Sequence, residues 1–235
     1  MEARPRRMGR VSSVEVEIGG ERVVLLASRA AYWPARRTLL VADLHLGKCE
    51  ALRANGVPLP DGVLREQISR LDAAVKETGA ERVLVLGDLL HAPIGTTGRM
   101  VECFAAWRAT PQPSGPVAMA LVPGNHDRML GAAAAAWGLE VLPETHVEGP
   151  FTFTHIPPAG GGVVNAAAGT TVWCGHLHPA VTVRSAADAI KLPCFWVREG
   201  LVVLPAFSAF TGGAGFRRGV GDRVYAVAEG CVIGV

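Results

Sequence analysis

Six of the seven histidines in the sequence lie at or just beyond the end of an apolar segment, and three of these lie within three residues of an aspartate or asparagine. Imidazole nitrogens, carboxylates and amide oxygens together suit divalent ions such as Mn²⁺, Fe²⁺ or Zn²⁺ better than Ca²⁺. The sequence therefore predicts a metal site assembled from distant parts of the chain. The six residues are His45, His91, His126, His155, His176 and His178, whereas His146 stands apart.

The segment RVLVLGDLLH shows how one such residue is positioned. Its run from Val83 to Leu86 is unbroken and apolar, which is typical of a strand buried on both faces of a sheet, and Gly87 ends it. Asp88 and His91 follow at once. A strand held on both faces would fix Asp88 rigidly at the centre of a site.

Neighbouring segments predict a strand, a helix and a second strand in that order. An apolar strand over Leu39 to Ala42 ends at Asp43, and a helix with apolar residues at helical spacing follows, with Asp61 as N-cap and Gly79 as C-cap. The strand ending at Leu86 comes next. A right-handed crossover places the ends of both strands on the same edge of a sheet, where ligands bind in α/β proteins.

The same pattern continues along the chain. VEVEIGGERVVLL predicts a β-hairpin before the first parallel strand, and Met100, Phe104 and Trp107 predict a second helix. VAMALVPGNHD, FTFTH and TTVWCGHLH each predict a strand that ends in polar residues, and the last third predicts antiparallel hairpins. The chain is expected to form a mixed sheet or two stacked sheets with helices outside.

Composition favours one domain over residues 1–235, with a flexible basic tail at about residues 1–10. No apolar run is long enough to span a bilayer, so we expect a soluble protein that does not enter a membrane. Five cysteines without a C-x-x-C pair are typical of reduced thiols in the cytoplasm. The net charge of +2 neither predicts nor excludes a nucleic acid ligand.

Five motifs in sequence resemble the calcineurin-like metallophosphoesterase superfamily: DLH, GDLLH, GNHD, the histidine at 155, and GHLH. More narrowly, ADLHLGK, GDLLH, GNHDR, GHLHP and LPAFSAFTGG resemble the bacterial DNA ligase-associated phosphoesterases. The resemblance implies an α/β fold of α+β character, in which two packed mixed β-sheets are flanked by helices in an αββα sandwich. It also implies a nuclease that acts on DNA in repair, with a DNA ligase or helicase as a potential partner.

The resemblance further implies two divalent metal ions, for which we expect Mn²⁺, with Fe or Zn as alternatives. Asp43, His45 and His178 would hold one ion and Asn125, His155 and His176 the other, with Asp88 bridging them. Two such ions about 3.5–4 Å apart can clamp a phosphoryl group and activate water. His126 would contact the phosphoryl oxygens or protonate the leaving oxygen, and Asp127 would orient His126.

The sequence allows two roles for each of several further residues. His91, Lys48 and Arg128 either line the site or serve only as loop and surface residues. Arg36 and Arg37, with the N-terminal arginines, either contact phosphates or form a solvated face. Phe207 and Phe210 either stack on bases or belong to the core.

The function also has alternatives. The same metals would serve a small-nucleotide phosphodiesterase or a phosphomonoesterase, and a non-catalytic scaffold could share the fold. The complete ligand set and His126 argue against the scaffold. The sequence gives no indication of the oligomeric state.

Overall fold

A computed structural model describes residues 13–60, 62–112, 115–127, 130–158, 169–184, 188–228 and 230–235. In this part of the chain two β-sheets pack face to face, and helices cover the outer face of the first sheet. The two packed mixed β-sheets are those predicted, and the helices of the described residues lie on the first sheet. The tail expected at residues 1–10 lies outside the described residues.

The first sheet has seven strands within the described ranges, and they follow one another across the sheet in chain order. Of the six strand pairs in this sheet of the described residues, the three from β1 to β4 are antiparallel and the three from β4 to β7 are parallel. β1 and β2 form the predicted hairpin. The strands are β1 Ser13–Ile18, β2 Glu21–Leu26, β3 Ala31–Trp33, β4 Thr38–Val41, β5 Arg82–Leu86, β6 Ala118–Val122 and β7 Glu140–Val141.

Helices α1 Lys48–Ala54, α2 Val63–Thr78, α3 Gly98–Arg108 and α4 Gly131–Ala136 connect these strands, with short 3-10 turns at Pro34–Arg36 and Pro93–Gly95. The predicted helix between β4 and β5 is α2, and it ends at Gly79, whose positive φ of 64° allows its amide to bond to the Val75 carbonyl. The predicted N-cap, Asp61, lies outside the described residues. Helix α1 is not among the predicted elements.

The second sheet has the strand order β15-β14-β12-β13-β10-β9-β8, and β11 pairs with β12. β9, β10 and β13 are parallel, whereas β12 with β13 and β14 with β15 form the predicted antiparallel hairpins. The strands are β8 Thr145–Glu148, β9 Phe151–Thr154, β10 Thr171–Cys174, β11 Ala180–Arg184, β12 Ala189–Arg198, β13 Leu201–Val203, β14 Arg223–Ala228 and β15 Cys231–Gly234.

Strand β5 is buried on both faces, as its apolar run predicts. Leu84 and Leu86 belong to the core between the sheets, together with Phe153 and Trp173 of the second sheet. Val83 and Val85 belong to the core beneath the helices. None of the helices in the described segments is long and apolar enough to cross a membrane.

Candidate metal centre

Side chains that follow five different strands meet at one place on the rim of the two sheets. They come from the ends of β4, β5 and β6 in the first sheet and of β9 and β10 in the second. The first residues of each set are Asp43, Asp88, Asn125, His155 and His176. The site is therefore shared between the sheets, because parallel strands of both end at the same rim.

Five residues of this rim have left-handed backbone conformations, which residues other than glycine seldom adopt. The φ angles lie between 46° and 67° for Asp43, His45, Asp88, His176 and His178. Main-chain hydrogen bonds hold this arrangement, such as the one from the His45 amide to the Asp88 carbonyl oxygen at 2.8 Å. Such backbone strain is concentrated at functional sites, where the surrounding structure maintains it.

The first ligand cluster consists of Asp43, His45 and His178. One potential ligand atom from each lies within 4.8 Å of those from the other two. His178 Nε2 is 3.1 Å from Asp43 Oδ1, and the fully buried Asp43 also accepts a hydrogen bond from the His176 amide at 3.0 Å. The cluster offers one carboxylate and two imidazoles to a cation.

The second ligand cluster consists of Asp88, His155 and His176, again with one ligand atom each within 4.8 Å of one another. His155 Nδ1 lies 2.9 Å from the Leu86 carbonyl oxygen, so Nδ1 carries hydrogen, and in the neutral ring Nε2 presents a lone pair. That Nε2 atom lies 3.2 Å from His176 Nδ1 and 3.2 Å from Asn125 Oδ1. Nitrogen and oxygen electron-pair donors thus converge on one point. Such a set of donors suits a divalent metal ion.

Asp88 belongs to the second ligand cluster and also faces the first, with one oxygen toward each. Its Oδ1 is 3.4 Å from His155 Nε2, and its Oδ2 is 3.9 Å from His45 Nε2. Oδ1 also accepts a hydrogen bond from the His126 amide at 3.0 Å. A carboxylate in this position can contact two ions at once.

The electrostatics favour the ligand forms of Asp88 and His45. Burial opposes the charge of Asp88, but the hydrogen bond and charge of His155, the His126 amide and His45 lower its pKa to about 2. Burial lowers the pKa of His45 to about 3, despite the opposing attraction of Asp88. Near neutral pH Asp88 is therefore ionised and His45 is neutral, as metal ligation requires.

Comparison with known proteins gives the family. The sequence profile of the calcineurin-like phosphoesterases matches residues 36–196, which is more than half of the chain. The chain belongs to the calcineurin-like phosphoesterase family. It is a metal-dependent phosphoester hydrolase.

One solved nuclease structure agrees with this assignment. The crystal structure of the Pseudomonas putida nuclease MPE is 32% identical with a TM-score of 0.79, covering 95% of this phosphoesterase and 100% of the nuclease. Yfce, a phosphoesterase from E. coli, is 13% identical with a TM-score of 0.44, covering 83% and 96% of the two chains. No curated protein matches the sequence.

Three glycines allow the metal centre of this phosphoesterase to pack closely. Gly87, Gly124 and Gly175 directly precede Asp88, Asn125 and His176. A Cβ on Gly87 would lie 2.2 Å from His155 Nδ1, one on Gly124 2.4 Å from Asp88 Oδ1, and one on Gly175 2.5 Å from Asp43 Oδ2. Their place before each polar residue is a sequence signal for the site that the histidine pattern alone misses.

The orientation of His126 differs from the expected one. Both oxygens of Asp127 accept main-chain amides, from Leu90 at 3.1 Å and from Gly124 at 2.8 Å. The His126 ring is held instead by the His91 carbonyl oxygen, 2.7 Å from Nδ1. The expectation that Asp127 orients the His126 ring is therefore wrong, and Asp127 fixes the loop on either side of it.

His91 and Lys48 both lie beside the centre. The His91 ring stacks on the His126 ring with centroids 5.6 Å apart and meets the His45 ring edge-on at 5.4 Å. Lys48 Nζ is 3.4 Å from Thr211 Oγ1, and its charge helps to lower the pKa of both His45 and His91. Arg128 lies outside the described residues.

Arg36 and Arg37 do not belong to the site. They precede β4 whereas Asp43 follows it, which separates them from the metal centre by about 13 Å of strand. Each also pairs with a carboxylate: Arg36 with Glu148 at 3.7 Å and Arg37 with Glu81 at 2.7 Å. Both observations favour the solvated face of the two interpretations.

Phe207 and Phe210 differ in their exposure to solvent. Phe207 is fully buried in the core, with the Arg70 guanidinium 4.6 Å from its ring centroid, so it is unavailable to a base. Phe210 is 38% exposed.

Proposed function

We propose that this phosphoesterase is a nuclease that hydrolyses phosphodiester bonds of DNA in repair, using two divalent metal ions. The observation that carries the proposal is the position of Asp88, with one oxygen toward each ligand cluster. A two-ion site suits displacement at a phosphodiester. The 32% identity to the Pseudomonas putida nuclease over 95% of the chain supports a nucleic acid substrate.

In this proposal Asp43, His45 and His178 hold one ion, Asn125, His155 and His176 hold the other, and Asp88 contacts both. The donors are nitrogen and oxygen atoms without a thiolate, a set that Mn²⁺, Fe²⁺ and Zn²⁺ all accept. Mn²⁺ is the ion we propose. When bound, the two ions would polarise the phosphoryl group and lower the pKa of the attacking water.

His126 acts on the leaving side of the reaction. The His91 carbonyl occupies its Nδ1, so Nε2 is the atom left to meet the substrate. The side chain is 40% exposed and its Nε2 lies 3.9 Å from Asp88 Oδ2. From there Nε2 can donate a proton to the departing oxygen or a hydrogen bond to the phosphoryl group.

The test is a comparison of substrates with purified protein and Mn²⁺. Single-stranded, nicked and duplex DNA, cyclic nucleotides and bis(4-nitrophenyl) phosphate are assayed side by side. The proposal expects DNA to give the highest kcat/KM. Efficient turnover of a cyclic nucleotide or a mononucleotide ester without DNA cleavage would replace it with a small-nucleotide phosphodiesterase.

Two further expectations accompany this proposal. A DNA ligase or helicase as repair partner and a cytoplasmic location stay predictions. Copurification of the tagged protein from its own cells tests the first, and fractionation of those cells tests the second.

A further inference from the structure

A small cavity of about 220 Å³ lies directly beside the metal centre, with His178 in its wall. Its other walls include Arg29, Lys191 and Thr211. The LPAFSAFTGG segment forms one side, and main-chain bonds between Ala214 and the 178–180 stretch close it. Among the described residues that line the cavity, none carries a carboxylate.

Cations surround this cavity without an acidic partner among the described residues. Arg29 donates a hydrogen bond to the Ser208 carbonyl oxygen at 2.9 Å, and Lys191 donates one to the Gly213 carbonyl oxygen at 2.6 Å. Lys48 reaches Thr211 Oγ1 from the metal side. Because all three bond to neutral oxygens, their positive charges remain uncompensated and attract an anion.

The opposite side of the metal centre carries acidic instead of basic side chains. There a cavity of about 300 Å³ is bordered by His155 and Asn125 and also by Asp127 and Glu144. Neither lysine nor arginine is among the described residues that line it. An anionic chain crossing the centre would therefore place its next phosphate on the His178 side.

We propose that the cavity beside His178 binds the substrate phosphate adjacent to the scissile one, which makes the preferred substrate a polynucleotide chain. This inference rests on the proposed function. The cavity is smaller than the roughly 300–1,000 Å³ of pockets that enclose a whole small ligand, so it suits a phosphate with part of its sugar.

The experiment compares Lys191→Ala and Arg29→Met with the wild type on two substrates in Mn²⁺. The first is an oligothymidylate, which has neighbouring phosphates, and the second is bis(4-nitrophenyl) phosphate, which has a single one. We expect each variant to lower kcat/KM on the oligothymidylate by about tenfold more than on the aryl diester, mainly through KM. Lys191 is exposed, so its variant tests the site even if Arg29→Met does not fold.

Binding of the oligothymidylate to metal-free protein across a salt series gives a second readout. Loss of one phosphate contact should reduce the slope of log K against log[salt] by about 0.7 for a single strand. Arg36→Ala is the matched control, since this exposed arginine lies at the far end of β4, and it should leave both the slope and the two activities unchanged.

The outcomes separate this inference from the proposed function. Equal losses on both substrates, or an unchanged slope and unchanged kcat/KM in Lys191→Ala while the wild type cleaves DNA, would overturn the inference alone. Failure of the wild type to cleave any oligonucleotide would overturn both.

Discussion

The Nδ1 atom of His126 lies 2.7 Å from the main-chain carbonyl oxygen of His91. A carbonyl oxygen only accepts, so this contact places hydrogen on Nδ1 and fixes the direction of the ring. Nε2 is then the ring nitrogen that, in the proposed reaction, would exchange a proton or a hydrogen bond with the substrate. His126 is thereby positioned for chemistry without membership in either ligand cluster.

His126→Gln should therefore keep both metal ions and lose turnover. We expect kcat to fall by about 10²–10⁴-fold, the range typical of a positioned acid or base. Metal content measured by mass spectrometry and steady-state kinetics on DNA check this together. Loss of a metal ion from this variant would make His126 a ligand instead.

The leaving group distinguishes the two roles of His126. An aryl leaving group needs little protonation, so the loss on bis(4-nitrophenyl) phosphate should be smaller than the loss on DNA if Nε2 is an acid. Equal losses on the two substrates would assign Nε2 to positioning of the phosphoryl group.

Gly124→Ala should disturb the metal centre through space alone. The new Cβ would lie 2.4 Å from Asp88 Oδ1 and 2.5 Å from the Asp88 amide nitrogen. We expect a loss of about 1–3 kcal/mol in the free energy of unfolding and a fall of about 100-fold in kcat. Thermal unfolding and kinetics measure both effects.

Gly98→Ala is the control, because nothing lies within 4 Å of a Cβ at this helical position. It should keep wild-type activity and stability. A Gly124→Ala variant that behaves like Gly98→Ala would show that Asp88 can move without consequence.

Acid should destabilise the metal-free protein through His45. Its pKa of about 3 in the folded state lies below the unfolded value of about 6.5, so the unfolded chain binds more protons between these limits. The free energy of unfolding should fall as pH decreases across this window, by at most about 1.4 kcal/mol per pH unit from this group. Urea unfolding at several pH values between about 6 and 4.5 measures it.

His45→Gln is the comparison that isolates this effect. His91 and His176 also have lowered pKa values, whereas that of His155 is raised and acts at higher pH. The variant should lose part of the pH dependence within the window. An identical pH dependence in wild type and variant would contradict the buried, neutral state of His45.

Local pattern was sufficient to predict the elements that carry the site. The unbroken run in β5, the helical spacing in α2 and the apolar strands before GNHD and GHLH each leave a clear trace in sequence. Helix α1 has no comparable trace, because it is short and only Cys49 and Ala51 of its residues are buried.

The features of the site that the sequence could not predict depend on contacts between residues far apart in the chain. The sharing of the site between two sheets, the hold of the His91 carbonyl on His126 and the pairing of Arg36 with Glu148 all join residues far apart in sequence. Their geometry follows from how the sheets and loops pack, which residue spacing does not encode. The close packing at Gly87, Gly124 and Gly175 is the exception, since each glycine directly precedes a site residue.

In the proposed centre Asp88 joins the two metal positions, and the Asp88→Asn variant tests this role. An amide removes the shared negative charge, and two cations held without it repel each other across the site. The control is Glu144→Gln, which removes the charge of an exposed carboxylate that belongs to neither ligand cluster and which should keep both ions. Calorimetric titration of the metal-free proteins with Mn²⁺ should show that Asp88→Asn lowers the affinity for both ions together. Two ions bound per chain at wild-type affinity, together with wild-type turnover, would contradict this role of Asp88.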